Sequence, residues 1–223
     1  MTDLDVLVEQ AHNRIRNALL ECENPTIAFS GGKDALVVAH LMAQHGVTDG
    51  ACELSFYYQR QEDNIREQAA KSGFNITFYR RLDDDWLRRR NHIIFTSDAA
   101  ARAASFAARQ QKTVATHAKK NRHDLIAFGR RTEENSVPRH LYKNKAGWSF
   151  HPIRDWRERH VWEYLDSVGI PAPWIYGTRH GELEGNSGFF TLRARDVGGY
   201  HNAWRLVSDL DPRFTPERYG ITL

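Results

Sequence analysis

From Leu4 to Leu20 the hydrophobic residues Leu4, Leu7, Val8, Ala11, Ile15, Ala18 and Leu19 recur at steps of three and four, which predicts an amphipathic helix ending before Asn24-Pro25. The pattern then changes character. Thr26-Ile27-Ala28-Phe29 is too short for a helix and is bounded by Pro25 and Gly31-Gly32, as a buried strand would be. A second helix is predicted over Asp34–His45, with Leu36, Val37, His40, Leu41 and Ala43 inside it and Gly46 at its end. Strand patterns follow at Cys52–Tyr58 and Asn75–Tyr79, with a helical stretch from Asn64 to Ser72 between them. An alanine-rich helix is expected from Asp98 to about Lys120, a strand over Asp124–Gly129, and a helix over Glu158–Val168 with Val161, Trp162, Leu165 and Val168 on one face. Trp156, Trp162 and Tyr164 are expected to pack in the core.

Strand and helix in alternation imply an α/β fold: a parallel sheet of at least four strands sandwiched by helices. Beyond Pro171 the periodicity fades and the Gly, Pro and aromatic content rises. Residues 1–170 therefore read as one α/β domain, and 171–223 as an irregular C-terminal extension of it, a cover or dimerisation element carrying Phe189-Phe190 and Trp204. No internal repeat is visible.

Composition narrows the picture. With 223 residues, 41% of them hydrophobic, the chain can bury a core of its own and is not a disordered protein. The longest uncharged stretch, Ala35–Thr48, has 14 residues, short of the about 20 that a membrane-spanning helix needs. The first residues, Met1-Thr2-Asp3-Leu4-Asp5, lack the basic-then-apolar order of a secretory signal, so a cytoplasmic location is expected. Two cysteines, Cys22 and Cys52, form no CxxC pair and supply neither a four-cysteine zinc site nor an iron–sulfur cluster. His117 and His123 stand six apart on or after a helix, a spacing that does not put them on one helical face, so no zinc site is expected there either. Charge is unevenly spread: Tyr79–Arg159 carries nineteen Lys+Arg against nine Asp+Glu, an excess of +10 in a chain of net charge +3. One region of the surface is suited to an anion.

The segment best suited to hold one is Ser30-Gly31-Gly32-Lys33-Asp34, between the first strand and its helix. Glycines let the backbone turn sharply and aim amide groups at an anion, the helix N-terminus adds partial positive charge, Lys33 a full one and Ser30 a hydroxyl donor. A Walker loop is excluded, because Ile27 stands where its first glycine belongs and Asp34 where its Ser or Thr belongs. The dinucleotide fingerprint GxGxxG is absent as well. Arg130 and Arg131 follow a predicted strand end, and their planar guanidinium forks suit phosphate or sulfate oxygens.

Ser30–Asp34 resembles the S-G-G-x-D-S/T pyrophosphatase (PP) loop of the adenine nucleotide alpha-hydrolase-like superfamily, with Ala35 in place of the usual hydroxyl residue. Gly129-Arg130-Arg131 with Arg139, then Pro152-Ile153-Arg154-Asp155-Trp156, Val161-Trp162-Glu163-Tyr164 and Pro171 are similar to the ordered blocks of the phosphoadenosine phosphosulfate (PAPS) reductase family. The resemblance implies an adenine nucleotide, ATP or PAPS/APS, held by Ser30, Gly31, Gly32, Lys33, Asp34, Tyr57, Gly129, Arg130, Arg131 and Arg139. It gives catalytic roles to Lys33, Asp34, Arg130 and Arg131, with Asp34 as the candidate ligand of a nucleotide-borne Mg2+. Lys33 and Arg131 are expected to be solvent-reachable.

The chain departs from the reductases after the proline-containing loop, where Gly181–Gly188 carries no thiol; Arg179, His180, Arg193 and Arg195 are candidates to reach an acceptor. Sulfite release through an S-sulfocysteine needs a thiolate, so thiol-based reduction and a thioredoxin partner are not expected. The favoured reading is an enzyme that cleaves ATP between its α- and β-phosphates and transfers the adenylyl group to an acceptor without a catalytic cysteine. The alternatives are a PAPS/APS-binding protein using an external reductant, and a non-catalytic nucleotide-sensing or nucleic-acid-binding module. A homodimer is left open, and no membrane partner is expected.

Overall fold

The computed structural model describes residues 2–54, 59–80, 108–133, 139–144 and 147–171. Helix α1 (Asp3–Glu21) opens with a capping box in which Thr2 Oγ1 accepts from the Asp5 amide and Asp5 Oδ2 accepts from the Thr2 amide. Strand β1 (Pro25–Ala28) leads through the glycine turn into α2 (Lys33–Ala43). Then come β2 (Asp49–Leu54), α3 (Gln59–Lys71), β3 (Asn75–Arg80), α4 (Ala108–Asn121), β4 (Leu125–Phe128), the strand pair β5 (Leu141–Asn144) and β6 (Gly147–Phe150), and α5 (Glu158–Ser167).

The strands form one sheet in the order β3-β2-β1-β4-β6-β5, parallel throughout except that β5 runs antiparallel to β6. Side chains of β1 and β4 alternate between two apolar layers. Ile27, Leu125 and Ala127 join Leu36, Val37, Val38 and Leu41 of α2, over which α1 and α5 pack; Ile126, with Ala28 and Phe128, meets Val114 and Ala118 of α4. Both faces are covered, which is why these strands read as continuous apolar runs.

From β1 the chain goes to β2 on one side, and β4 occupies the other. Ala28 pairs with Phe128, so the carboxyl ends of β1 and β4 sit side by side at the point where the strand order reverses. Open α/β sheets bind ligands at such a switch point.

Several expectations are corrected. β2 begins at Asp49, three residues before the expected start at Cys52, and residues 55–58 of that expectation lie outside the described residues; the sequence pattern did not announce the β5–β6 hairpin, whose four-residue strands carry Lys143 and Asn144 among their apolar residues. Trp156 and Tyr164 are core residues at 1% and 3% exposure, but Trp162 is only half-buried and Val168 is exposed. The buried face of α5 is Val161, Tyr164 and Leu165 together with His160. Among the described residues no helix is long and apolar enough to cross a membrane. The predicted extension beyond Pro171, with its Arg179, His180, Arg193 and Arg195, lies outside the described residues, as does Tyr57.

Candidate functional site

The turn after β1 depends on glycine at two levels. Gly31 adopts φ +79°, a left-handed conformation that costs an L-residue about 1–2 kcal/mol. Gly32 is the N-cap of α2 and offers no side chain to cap it, so the first turn of that helix faces the crevice without a side-chain cap. The strand before it is pinned by the Phe29 amide donating to Ala51 O at 2.9 Å.

A third glycine brings the second half of the site against the first. A Cβ on Gly129 would stand 2.5 Å from the carbonyl carbon of Asp34 and 2.6 Å from the Ala35 nitrogen. The end of β4 therefore lies directly on the first turn of α2, and the residue after it, Arg130, sets its guanidinium 5.1 Å from the centre of the Phe128 ring. Arg130 is half-buried and Arg139 exposed.

Lys33 and Arg131 converge on Asp34. Lys33 Nζ lies 3.1 Å from Asp34 Oδ2 and 3.3 Å from Glu158 Oε1, and 5.9 Å from the centre of the Trp162 ring. Arg131 donates from Nε to Asp34 Oδ1 and from Nη1 to Glu133 Oε2. Glu133 Oε2 also accepts the Glu158 amide at 2.8 Å, which holds the Glu133 carboxyl below the usual range. Five charged side chains from α2, the β4 turn and α5 thus form one network.

Burial corrects the expected accessibility. Lys33 is 0% and Arg131 1% exposed, because α5 closes over the loop and brings Glu158 and Trp162 onto the lysine. Both oxygens of Asp34 are held by cations. The carboxylate is their counter-ion and, in this arrangement, does not fit the magnesium role assigned to it from sequence.

Beside this network His151 is stacked on Phe128 and Tyr142, with ring centroids 5.5 and 5.7 Å apart. Its ring nitrogens make no hydrogen bond, and burial, reinforced by the Arg130 charge, pushes its pKa down to about 4. Sequence spacing flagged the segment but not this sandwich, which needs the unannounced hairpin to form.

The cysteines lie elsewhere. Cys22 precedes β1 at the opposite, amino-terminal edge of the sheet, and burial pushes its thiol up to about 11. Cys52 is buried within β2. At that same edge the structure corrects the histidine spacing argument: His117 Nε2 and His123 Nε2 lie 2.9 and 3.1 Å from Asp49 Oδ2. His123 is not on the helix. Arg122 adopts φ +60° and turns the chain back, and the His123 amide donates to Ala118 O at 2.8 Å.

The family model for the phosphoadenosine phosphosulfate reductase domain matches residues 24–203, which include the glycine turn, the Arg130-Arg131 pair and α5. No curated protein matches the chain in sequence. Among solved structures, the chain is similar to phosphoadenylyl-sulfate (PAPS) reductase from Candida auris in a phosphate complex, with 14% identity over 79% of this chain and 92% of that one, at a TM-score of 0.55. It is also similar to NMN synthetase from Francisella tularensis, with 11% identity over 100% of this chain and 98% of that one, at a TM-score of 0.56. At these identities the likeness concerns architecture, and the architecture is the adenine nucleotide alpha-hydrolase-like fold. With most of its length matched, and with loop and arginine pair meeting at one sheet edge, this chain belongs to the phosphoadenosine phosphosulfate reductase domain family.

Proposed function

We propose that the protein binds ATP at the carboxyl ends of β1 and β4 and transfers its adenylyl group to an acceptor, releasing pyrophosphate. The observation that carries this reading is the convergence of Lys33 and Arg131 on Asp34 beneath the Gly31-Gly32 turn, with Arg130 beside them at the crevice. In the step, an acceptor oxygen or nitrogen attacks the α-phosphorus as the bond to the bridging α–β oxygen breaks. The acceptor loses its proton to solvent, and the electron pair leaves with pyrophosphate.

Such a reaction needs positioned cations and no protein nucleophile. Turn amides and Lys33 would take the departing pyrophosphate and Arg130 the α-phosphate side, with Arg131 holding Asp34 in place beneath them. Glu158, 44% exposed, covers Lys33 from the outside and is the carboxylate a phosphate oxygen would displace. A thiol route gains no support from Cys22, whose thiol is held protonated by burial at the far edge of the sheet.

The test is to incubate the protein with ATP and a small-molecule extract as acceptor source, in parallel with PAPS. Phosphorus NMR should show pyrophosphate and an AMP-bearing product. ADP with orthophosphate, ATP left intact, or sulfite released from PAPS would each overturn the reading.

A further inference from the structure

We propose that Asp49, His117 and His123 form a binding site for a divalent transition-metal ion of the zinc class, at the amino-terminal edge of the sheet and remote from the loop. Asp49 opens β2, His117 lies in the last two turns of α4, and His123 follows that helix; one ligand atom from each falls within 4.8 Å of the others. Two imidazoles and a carboxylate, with one position left to water, are a donor set that zinc accepts and magnesium does not.

The hydrogen bonds around the cluster orient these atoms inward. Asn24 Nδ2 donates to the carbonyls of Asn121 and Arg122 at 3.1 and 3.2 Å, so its Oδ1 is the atom turned to His123 Nδ1, 2.9 Å away. His123 Nδ1 also lies 3.2 Å from Asn24 O. Two acceptors place a proton on Nδ1, which leaves Nε2 as the ring atom turned to Asp49. That nitrogen is 3.1 Å from Asp49 Oδ2, in a side chain only 7% exposed, yet makes no hydrogen bond. A buried ring nitrogen set against a carboxylate oxygen without hydrogen-bond geometry is a position that a cation between them would satisfy.

Asp49 Oδ2 is already served. Thr26 Oγ1 donates to it at 2.6 Å and His117 Nε2 lies 2.9 Å away. Asn121 Nδ2 donates to His117 Nδ1 at 3.1 Å and Tyr79 Oη stands 3.0 Å from the same nitrogen, so Nε2 carries the proton it gives to Asp49, and a bound cation would take the place of that proton. Bonds of about 2.0–2.1 Å in a tetrahedron put ligand atoms roughly 3.4 Å apart, so the observed separations of 2.9 and 3.1 Å need widen only by tenths of an ångström.

Access and framework fit as well. Asp49 is 40% exposed on its side chain and lines an open groove with Glu23, Asn24 and Thr48, whereas His117 and His123 are closed off on the protein side. The turn that delivers His123 has an arginine in the left-handed position where glycine is usual, a strained conformation kept where it aims an imidazole.

The experiment takes the full chain after chelator dialysis and titrates it with Co2+, then Zn2+, with Mg2+ as the control. One Co2+ per chain should appear with the strong visible absorption of a four-coordinate ion. One equivalent of Zn2+ should displace it and raise the melting temperature, and Mg2+ should do neither. His123→Gln and Asp49→Asn should each lower Zn2+ affinity at least 10-fold. The His12→Ala/His45→Ala double variant removes another close imidazole pair, whose nitrogens lie 2.8 Å apart, and should keep full stoichiometry. Should a site variant not fold, imidazole NMR of the unaltered protein decides: Zn2+ should shift the His117 and His123 signals. Shifts confined to other histidines, or no stoichiometric uptake, would overturn the site and leave a hydrogen-bonded His–Asp cluster.

Discussion

Arg131 shows how far a single side chain can be committed before any ligand arrives. Its guanidinium grips Asp34 from Nε and Glu133 from Nη1 while only 1% of the residue is exposed. Arg131→Ala would leave a buried carboxylate short of a cation, and the protein should lose about 3–5 kcal/mol of stability, read from urea unfolding. Arg131→Lys should recover only part of that, since an ammonium cannot reproduce the two-pronged grip. Full recovery by lysine would show that charge alone was needed. His151 makes a second prediction at this scale. Its folded pKa of about 4 lies below the 6.5 of an unfolded histidine, so the unfolded chain binds the extra proton between those values. The stability conferred by the neutral ring is present in full above pH 6.5 and is lost as pH falls towards 4, by about 3 kcal/mol from this group. His151→Phe keeps the stack on Phe128 and Tyr142 without the titration, and its unfolding midpoint should fall less over that window. An unchanged slope would assign the acid sensitivity to other groups.

Among the elements, the contact between the β4 end and α2 is the tightest constraint on the site. Gly129→Ala pushes a methyl into backbone atoms of Asp34 and Ala35, which cannot rotate aside, so it should cost about 1–3 kcal/mol and separate the arginine pair from the loop. Calorimetry should show ATP affinity falling with stability; a variant with unaltered affinity would contradict the shared-turn geometry. Just before α5, Trp156→Ala should cost about 3–5 kcal/mol, and Trp162→Ala on the helix clearly less, because only the former is fully buried. Equal losses in thermal unfolding would show that Trp162 belongs to the core after all. These elements also mark what was readable beforehand. Helical spacing located α1, α2 and α5 to within a residue or two, because their buried faces repeat regularly. The β5–β6 hairpin escaped notice: its strands are four residues long, and one lies at the sheet edge with mixed polarity.

At the scale of the molecule, the sheet order brings together what the chain separates. The glycine turn and the arginine pair lie about a hundred residues apart in sequence, and parallel pairing of β1 with β4 sets their ends side by side. The motifs were therefore legible as residues, whereas their mutual neutralisation was not. Nothing in the spacing of Lys33, Asp34, Arg131, Glu133 and Glu158 announces that α5 folds over the loop and buries the lysine. The same limit hid the Asp49–His117–His123 cluster, which a helical-face argument dismissed and a left-handed Arg122 assembles. In the proposed reaction the residue left to meet the nucleotide is Arg130, the arginine of the pair that is half-buried rather than sealed in the network. The most direct measurement is calorimetric titration of ATP into the protein and into Arg130→Ala, with pyrophosphate as competitor. The account predicts ATP binding that pyrophosphate displaces, and at least 10-fold weaker affinity in a variant whose unfolding midpoint is unchanged. Equal affinity in the two proteins, or no binding by either, would contradict it.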